Sequence, residues 1–488
     1  MLGTAASASL ALGRRASYTR SVKLQVSGAA AAENKIRSII EREECEMASG
    51  KTTRRDFIKA SAAAAAPYFW ASAAAGAADK NSRPVLAVIG CGGKARDLFK
   101  LAREFGDFAA CCDADLNRAE SMAGGKADVY QDYRKLLDRK DVDAVIVATP
   151  DHWHTAINVA ALRSGKHVYG EKPLTLTIDE GKIVRKVVHE TGRVMQVGAQ
   201  QRSAPWFRQA VALVRSGVLG SPVTATCYIG AGLSGGPFAP SDPPPGLDWD
   251  LWLGQAPMVP YIRERCHGTF RWWLEYSGGK ITDWGAHHID IAQWAVGGEN
   301  SGPVEIEGRG VFDRRPNCFN TAQTFDCTMR FAGGNAIVVK DGPGNGILFE
   351  GAKEHIYVNR GKIAGNLVEN MTPNLRDKVQ AEMAKLYDGP LGVPDEEYPE
   401  GTEFGGPLWT RVKQSHMGNF FRSIREGATP ISNVDSLHRT ASSCHLVNIA
   451  MLLERKLRWD PDKEDFVGDE EASAMVRRRQ RKGYEIEA

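Results

Sequence analysis

Three side chains from two distant segments of the chain have the types that alcohol chemistry requires. Lys172 stands in Gly170-Glu171-Lys172-Pro173, while Asp283 and His287 stand in Gly278-Gly279-Lys280-Ile281-Thr282-Asp283-Trp284-Gly285-Ala286-His287-His288-Ile289-Asp290. Oxidising a secondary alcohol moves a hydride off carbon while a base removes the hydroxyl proton. His287 can take that proton, Lys172 can polarise the oxygen, and Asp283 can orient His287 or grip a neighbouring hydroxyl. Asp283 and His287 are four apart and share a face if their segment is helical. His288 points about 100° away and is assigned no catalytic role. A lone Lys before Pro is usually a surface residue and an Asp/His pair at this spacing is usually a local hydrogen bond. The joint occurrence of all three in order favours chemistry.

The hydride also needs an acceptor, and a second pattern supplies its site. Gly90-Cys91-Gly92-Gly93-Lys94-Ala95 follows the apolar run Val85–Ile89 and opens a helical pattern over 96–105. Gly90 permits the tight turn, Gly92 lets the backbone approach a pyrophosphate, and Ala95 allows close helix–strand packing. The free N–H groups of the helix start face the anion. Asp113 stands 21 residues beyond Gly92 at the end of the next apolar run, where a carboxylate can accept both ribose hydroxyls. That favours NAD over NADP, although Arg118 nearby weakens the preference.

The elements that must position these residues are legible as periodicity. Apolar runs at 85–89, 108–112, 142–148 and 194–199 alternate with helical patterns, which predicts a parallel sheet covered on both faces. After about Arg202 the strands at 222–229, 304–312, 325–331 and 336–340 alternate more, and Gly333-Gly334-Asn335 is a hairpin signal. The second half should be a larger, mostly antiparallel sheet with helices on one face. Segment 237–246, rich in proline, must be a loop. Helices are expected at about 409–426 and 435–455, and the basic run 477–482 reads as a solvated helix end. The fold class is therefore α/β, with a dinucleotide domain over 79–202, a second domain over 203–460 and a tail over 461–488.

Composition narrows the classes further. The 488 residues are 43% hydrophobic and 25% charged, which excludes collagenous, disulfide-scaffold and largely disordered chains. The net charge of +3 is unevenly placed. Residues 1–78 hold 11 Lys/Arg against 6 Asp/Glu, so the rest is slightly acidic and offers no stripe for nucleic acid. The nine cysteines show no CxxC, so burial as small hydrophobes is expected. His152, His154, His287 and Asp290 lack tight ligand spacing, and no metal is expected.

The three motifs together resemble the Gfo/Idh/MocA family of NAD(P)-dependent oxidoreductases over residues 84 to about 460. The resemblance implies an N-terminal Rossmann domain and a C-terminal α/β domain whose open sheet can mediate homo-oligomers. It implies that Lys172, Asp283 and His287 form the catalytic set. It also implies that Gly93, Thr149, Pro150, His154 and Glu171 join Gly90, Gly92, Ala95 and Asp113 around the cofactor. Lys280 departs from the third glycine many relatives carry. Thr149-Pro150-Asp151-His152-Trp153-His154 and Trp459-Asp460-Pro461 look like the exported bacterial branch. Six tryptophans lie between Trp249 and Trp294. Most should pack in the core, but a sugar's C–H face stacks on aromatic rings, so Trp272 and Trp273 are the candidate pocket walls, with Arg202 a further candidate for substrate contact.

Thr53-Arg54-Arg55-Asp56-Phe57-Ile58-Lys59, an Ala-rich apolar stretch and the small residues before Ala78 form a twin-arginine export signal over 47–78. Residues 1–46 then read as an over-extended start. Passage through the Tat translocon implies a periplasmic or otherwise exported protein without stable membrane insertion. Free NAD is scarce there, so the cofactor should be retained and restored within each cycle. The expected activity is hydride transfer at a secondary hydroxyl of a sugar, polyol or derivative. An NAD-dependent glycosidase or lyase that works through transient oxidation is the second reading, and a cofactor-loaded binding protein the third.

Overall fold

A computed structural model describes residues 83–387 and 407–486. Residues 1–78, where an export signal and an over-extended start are expected, lie outside the described residues. Strands β1 (Val85–Ile89), β2 (Asp107–Cys112), β3 (Asp128–Tyr130), β4 (Ala144–Val147), β5 (His167–Gly170) and β6 (Met195–Val197) form one parallel sheet in the order β3-β2-β1-β4-β5-β6. Their continuous apolar runs exist because both faces are covered. Along β1, Ala87 and Ile89 enter one cluster and Leu86 and Val88 the other. The register decides where the chemistry lies. Ile89 pairs with Cys112 and Val147, Val147 with Gly170, and Gly170 with Val197. The residues that follow each strand therefore crowd one carboxyl edge, at the point where strand order reverses between β1 and β4.

The second sheet has nine strands in the order β13-β12-β11-β7-β10-β9-β8-β14-β15. They are β7 (Thr224–Tyr228), β8 (Glu305–Val311), β9 (Thr324–Arg330), β10 (Ala336–Lys340), β11 (Gly346–Glu350), β12 (His355–Val358), β13 (Ile363–Ala364), β14 (Leu457–Asp460) and β15 (Asp465–Phe466). All neighbours are antiparallel except β7 and β10. Gly333 and Gly334, both with φ of +91°, turn the hairpin between β9 and β10. Helices Pro205–Arg215, Gly285–Ala295 and Val434–Leu453 share the apolar core of this sheet.

Two C-terminal helices do more than close the second domain. Met417, Phe420 and Phe421 of Pro407–Glu426 pack with Leu86, Val88 and Ile146 on one side of the parallel sheet. Val434, Leu437 and Ala441 of the following helix pack with Val145, Val168 and Val184 on the other. The basic run at 477–482 is not a solvated helix end. The last helix stops at Ala474, and Arg481 reaches back to donate to the Gly254 and Asp250 carbonyls at 2.7 Å each. Tyr484 donates to Asp250 at 2.6 Å, so this segment clasps the turn of helix Trp249–Leu253. A basic side chain with carbonyls and a carboxylate in reach is worth more docked than solvated. The eight described cysteines are buried and unpaired.

Burial also holds several histidines neutral. His288, His416 and His445 are pushed down to about 4 and His152 to about 3 from 6.5, each chiefly by desolvation. Their folded values lie below the unfolded one, so the unfolded chain binds more protons as pH falls. Stability is fully present above about pH 6.5 and should be lost progressively toward pH 4, by about 1.4 kcal/mol per pH unit for each such group. Urea midpoints measured across that range check this. A flat profile would contradict it.

Candidate active site and cofactor cleft

A cleft of about 390 Å³ opens along the carboxyl edge of the parallel sheet. That size suits a small-molecule site. At its nucleotide end Gly90 has φ of +86°, and a Cβ there would stand 2.7 Å from the Ala148 carbonyl oxygen. A Cβ on Gly93 would meet nothing within 4 Å, which leaves room over the helix start for a phosphate. Helix Gly93–Ala102 has no side-chain cap, so its first N–H groups are free for an anion. Ala95 is fully buried beneath it. Asp113 accepts from Cys91 N at 2.7 Å and from Asp115 N at 2.9 Å, which aims the carboxylate while leaving lone pairs for hydroxyls. Burial pushes its pKa up, against the pull of those backbone donors and Arg118. The donor set and the open cradle fit a dinucleotide. Gly90→Ala should combine strain at positive φ with a backbone clash, weakening NAD binding and costing about 2–4 kcal/mol of stability. A nucleotide titration and a thermal melt measure both; a variant with unchanged affinity and melting temperature would contradict this account.

Lys172 follows β5 and reaches across the cleft. Its Nζ donates to Asp283 Oδ1 at 2.5 Å and to the Asp283 carbonyl at 3.1 Å. Burial raises the Asp283 carboxyl, but Lys172 and Arg271 outweigh it and hold the group at about 2. Asp283 ends the helical turn Lys280–Asp283, and after Trp284 the helix Gly285–Ala295 begins. That break gives Asp283 to Lys172 and to Arg271 at 3.5 Å. Orientation of His287 by Asp283 is not what the contacts show. His287 also lines the cleft, with its Nδ1 buried and without a partner. Burial, then the nearby charges of Arg360 and Lys172, drive its pKa well below 6.5, so the ring is neutral. His288 is turned away, facing Asn345 Oδ1 at 2.8 Å.

The other predicted residues divide. Thr149, Pro150 and Glu171 line the cleft, and Glu171 faces Lys94 at 3.3 Å and Gln200 at 3.1 Å. His154 does not line it. Its ring nitrogens face the carbonyls of Pro173 at 2.6 Å and Thr149 at 3.0 Å, so it braces the two loops that do. Arg202 is not a substrate contact: it is buried and paired with Asp290 at 2.6 Å. Trp273 is 1% exposed and lies under the Arg265 guanidinium, 3.9 Å from its ring centre. Trp272 packs against the same aromatic cluster as Trp273. Packing a large ring removes more apolar surface from water than lining a wet cleft does. The aromatic walls are instead Tyr133, Trp153, Trp252, Phe270 and Trp284.

Residues 85–199 match the oxidoreductase family's NAD-binding Rossmann fold, and residues 207–386 with 411–486 match its C-terminal α/β domain, under the family name GFO_IDH_MocA. The chain belongs to the Gfo/Idh/MocA oxidoreductase family. It is 29% identical over 201 residues to scyllo-inositol 2-dehydrogenase (NAD(+)) of Bacillus subtilis, covering 41% of this chain and 48% of that protein. It is 28% identical over 166 residues to levoglucosan dehydrogenase of Pseudarthrobacter phenanthrenivorans, covering 34% of this chain and 36% of that protein. The matched stretches thus span about half or less of these curated relatives. An aldose–aldose oxidoreductase from Caulobacter crescentus, solved with glycerol, shares the fold with a TM-score of 0.55 at 19% identity, over 77% of this chain and 99% of that one.

This Gfo/Idh/MocA member also places at its cleft residues to which the sequence assigned no role. Arg360 lies in the turn between β12 and β13, in Asn359-Arg360-Gly361-Lys362, a pattern that signals only a turn. Gln201 links it to the His287 segment, accepting from Arg360 Nε at 3.2 Å and donating to the His287 carbonyl at 3.1 Å. Asp151 heads helix Asp151–Arg163 and accepts from Ser277 Oγ at 2.5 Å. Arg271, adjacent to the two tryptophans expected to be walls, is the residue of that segment that reaches Asp283.

Proposed function

We propose that this chain is an NAD-dependent oxidoreductase acting on a secondary hydroxyl of a sugar, polyol or sugar derivative. The observation that carries the reading is the convergence of Lys172, Asp283 and His287 on the cleft that the Gly90 loop and Asp113 also line. The names of the inositol and levoglucosan dehydrogenases among its relatives support the substrate class. When bound, the nicotinamide supplies the hydride acceptor and a positive ring.

The chain's own residues account for the rest. Asp283, ionised, anchors Lys172 and keeps its Nζ beside the reacting oxygen, where the ammonium stabilises developing negative charge. His287, neutral, takes the hydroxyl proton, and its neutrality follows from the same burial that dries the site. Gly90, Gly92 and the helix start hold the pyrophosphate, and Asp113 takes the ribose.

Export adds a second part to this proposal: a nucleotide retained through purification and restored in each cycle. Denaturing the purified protein and quantifying released nucleotide tests it, and an empty, weakly binding protein would remove it. A sugar and polyol panel with mass-spectrometric product detection tests the activity. Ketone formation supports the oxidoreductase; glycosidic cleavage without net oxidation would favour the redox-assisted glycosidase or lyase.

A further inference from the structure

Among the described residues the charges at the substrate end of the cleft do not balance. Asp283 faces both Lys172 at 2.5 Å and Arg271 at 3.5 Å, while Glu171 is answered by Lys94 at 3.3 Å. Asp151 is also at this end, but burial pushes its carboxyl up toward the neutral form and Ser277 already donates to it. Arg360 adds a further cation. Among the described residues no carboxylate pairs with it, and its one hydrogen bond is from Nε to Gln201. Nη2 is buried and has no partner. Burial lowers its pKa to about 10, which the charges of Asp283 and Glu171 only partly offset.

Its setting is that of a recognition group. The guanidinium carbon stands 4.6 Å from the ring centres of both Trp284 and Trp409, so two aromatic faces fix the plane of the fork. A half-buried cation held this way without an acid is costly unless a ligand completes it. A neutral sugar would leave the surplus charge unanswered. Carboxylate and phosphate both match the two-donor edge of a guanidinium, and a carboxylate is flat, smaller and carries the single charge that one arginine without an acid partner answers.

We propose that the substrate of this site bears a carboxylate, as a uronate or aldonate does, and that Arg360 receives it. The proposal rests on the oxidoreductase reading for the cleft but adds the chemical class of what enters it. Arg360 is then a specificity-determining residue that touches the substrate away from the reacting carbon.

The test titrates the full-length, NAD+-loaded protein with matched pairs: D-glucuronate against D-glucose, and D-gluconate against D-glucitol, with D-glucose 6-phosphate as a separate arm. The acids should bind about tenfold or more tightly than their neutral partners, and the ratio should shrink as salt rises. Arg360→Met should erase the ratio without changing NAD+ affinity, and Arg360→Lys should restore part of it. A panel in which no acid outbinds its neutral partner, nothing binding included, overturns the proposal. Tighter binding of the phosphate overturns the choice of carboxylate, and weakened NAD+ binding in Arg360→Met reassigns the arginine to the cofactor. Acids that bind through Arg360 yet never yield NADH would instead count against the oxidoreductase reading.

Discussion

Lys172→Ala should lower kcat by about 10²–10⁴-fold while NAD remains bound. The ammonium sits 2.5 Å from Asp283, and in the proposed mechanism it stabilises the oxygen that becomes negative as hydride leaves, so its removal should cost transition-state stabilisation more than ground-state binding. The substitution does not orphan the carboxylate, because Arg271 remains within 3.5 Å of it. The fold should therefore survive, and a nucleotide titration beside the steady-state assay separates loss of chemistry from loss of cofactor. An unchanged kcat would remove Lys172 from the mechanism. A weakened NAD affinity with kcat unchanged at saturating NAD would make it a cofactor residue.

Arg202→Met should destabilise the protein by about 3–5 kcal/mol, because it leaves Asp290 ionisable, fully buried and without its partner. Arg202 donates to Asp290 through Nε and Nη2, and through Nη1 to Ser436 at 3.1 Å and the Ile431 carbonyl at 3.3 Å. Thr440 donates to the same carboxylate at 2.9 Å, and the Arg202 guanidinium lies 4.9 Å from the Trp294 ring centre. One arginine thus ties the end of the dinucleotide domain to the Gly285–Ala295 helix and to the C-terminal helix. Urea unfolding of Arg202→Met and of Arg202→Met with Asp290→Asn measures the effect, and the double variant should recover part of the loss. A raised KM with an unchanged unfolding midpoint would mean that Arg202 binds substrate after all.

The nucleotide end was legible because its requirements are local. A strand, a positive-φ glycine, a helix start and an acid at the next strand end are specified by spacing, and Gly90 and Asp113 stand where that spacing puts them. The antiparallel second sheet was legible as alternation and as the Gly333-Gly334 turn. The substrate end was harder. Trp272 and Trp273 had the right chemistry for a sugar wall, but a ring's fate depends on which neighbours close over it. Phe238, Phe319 and Arg265 close over Trp273. Arg360 carried no motif, since a turn arginine looks the same whether it meets water or two tryptophans.

Two kinds of information therefore divide this protein. By itself the sequence determined the α/β class, the family and the dinucleotide loop, because backbone geometry and short-range spacing depend on neighbours along the chain, and it named Lys172, Asp283 and His287 as candidates that the fold brings to one cleft. Only the tertiary structure decided that Asp283 serves Lys172 rather than His287, that Arg202 is an internal tie, and that Arg360 enters the cleft with no carboxylate partner among the described residues. Those outcomes are set by distances across the chain, such as the 111 residues between Lys172 and Asp283 or the 159 between Gln201 and Arg360. Charge and burial act through space, and no spacing along the sequence encodes which groups will share it.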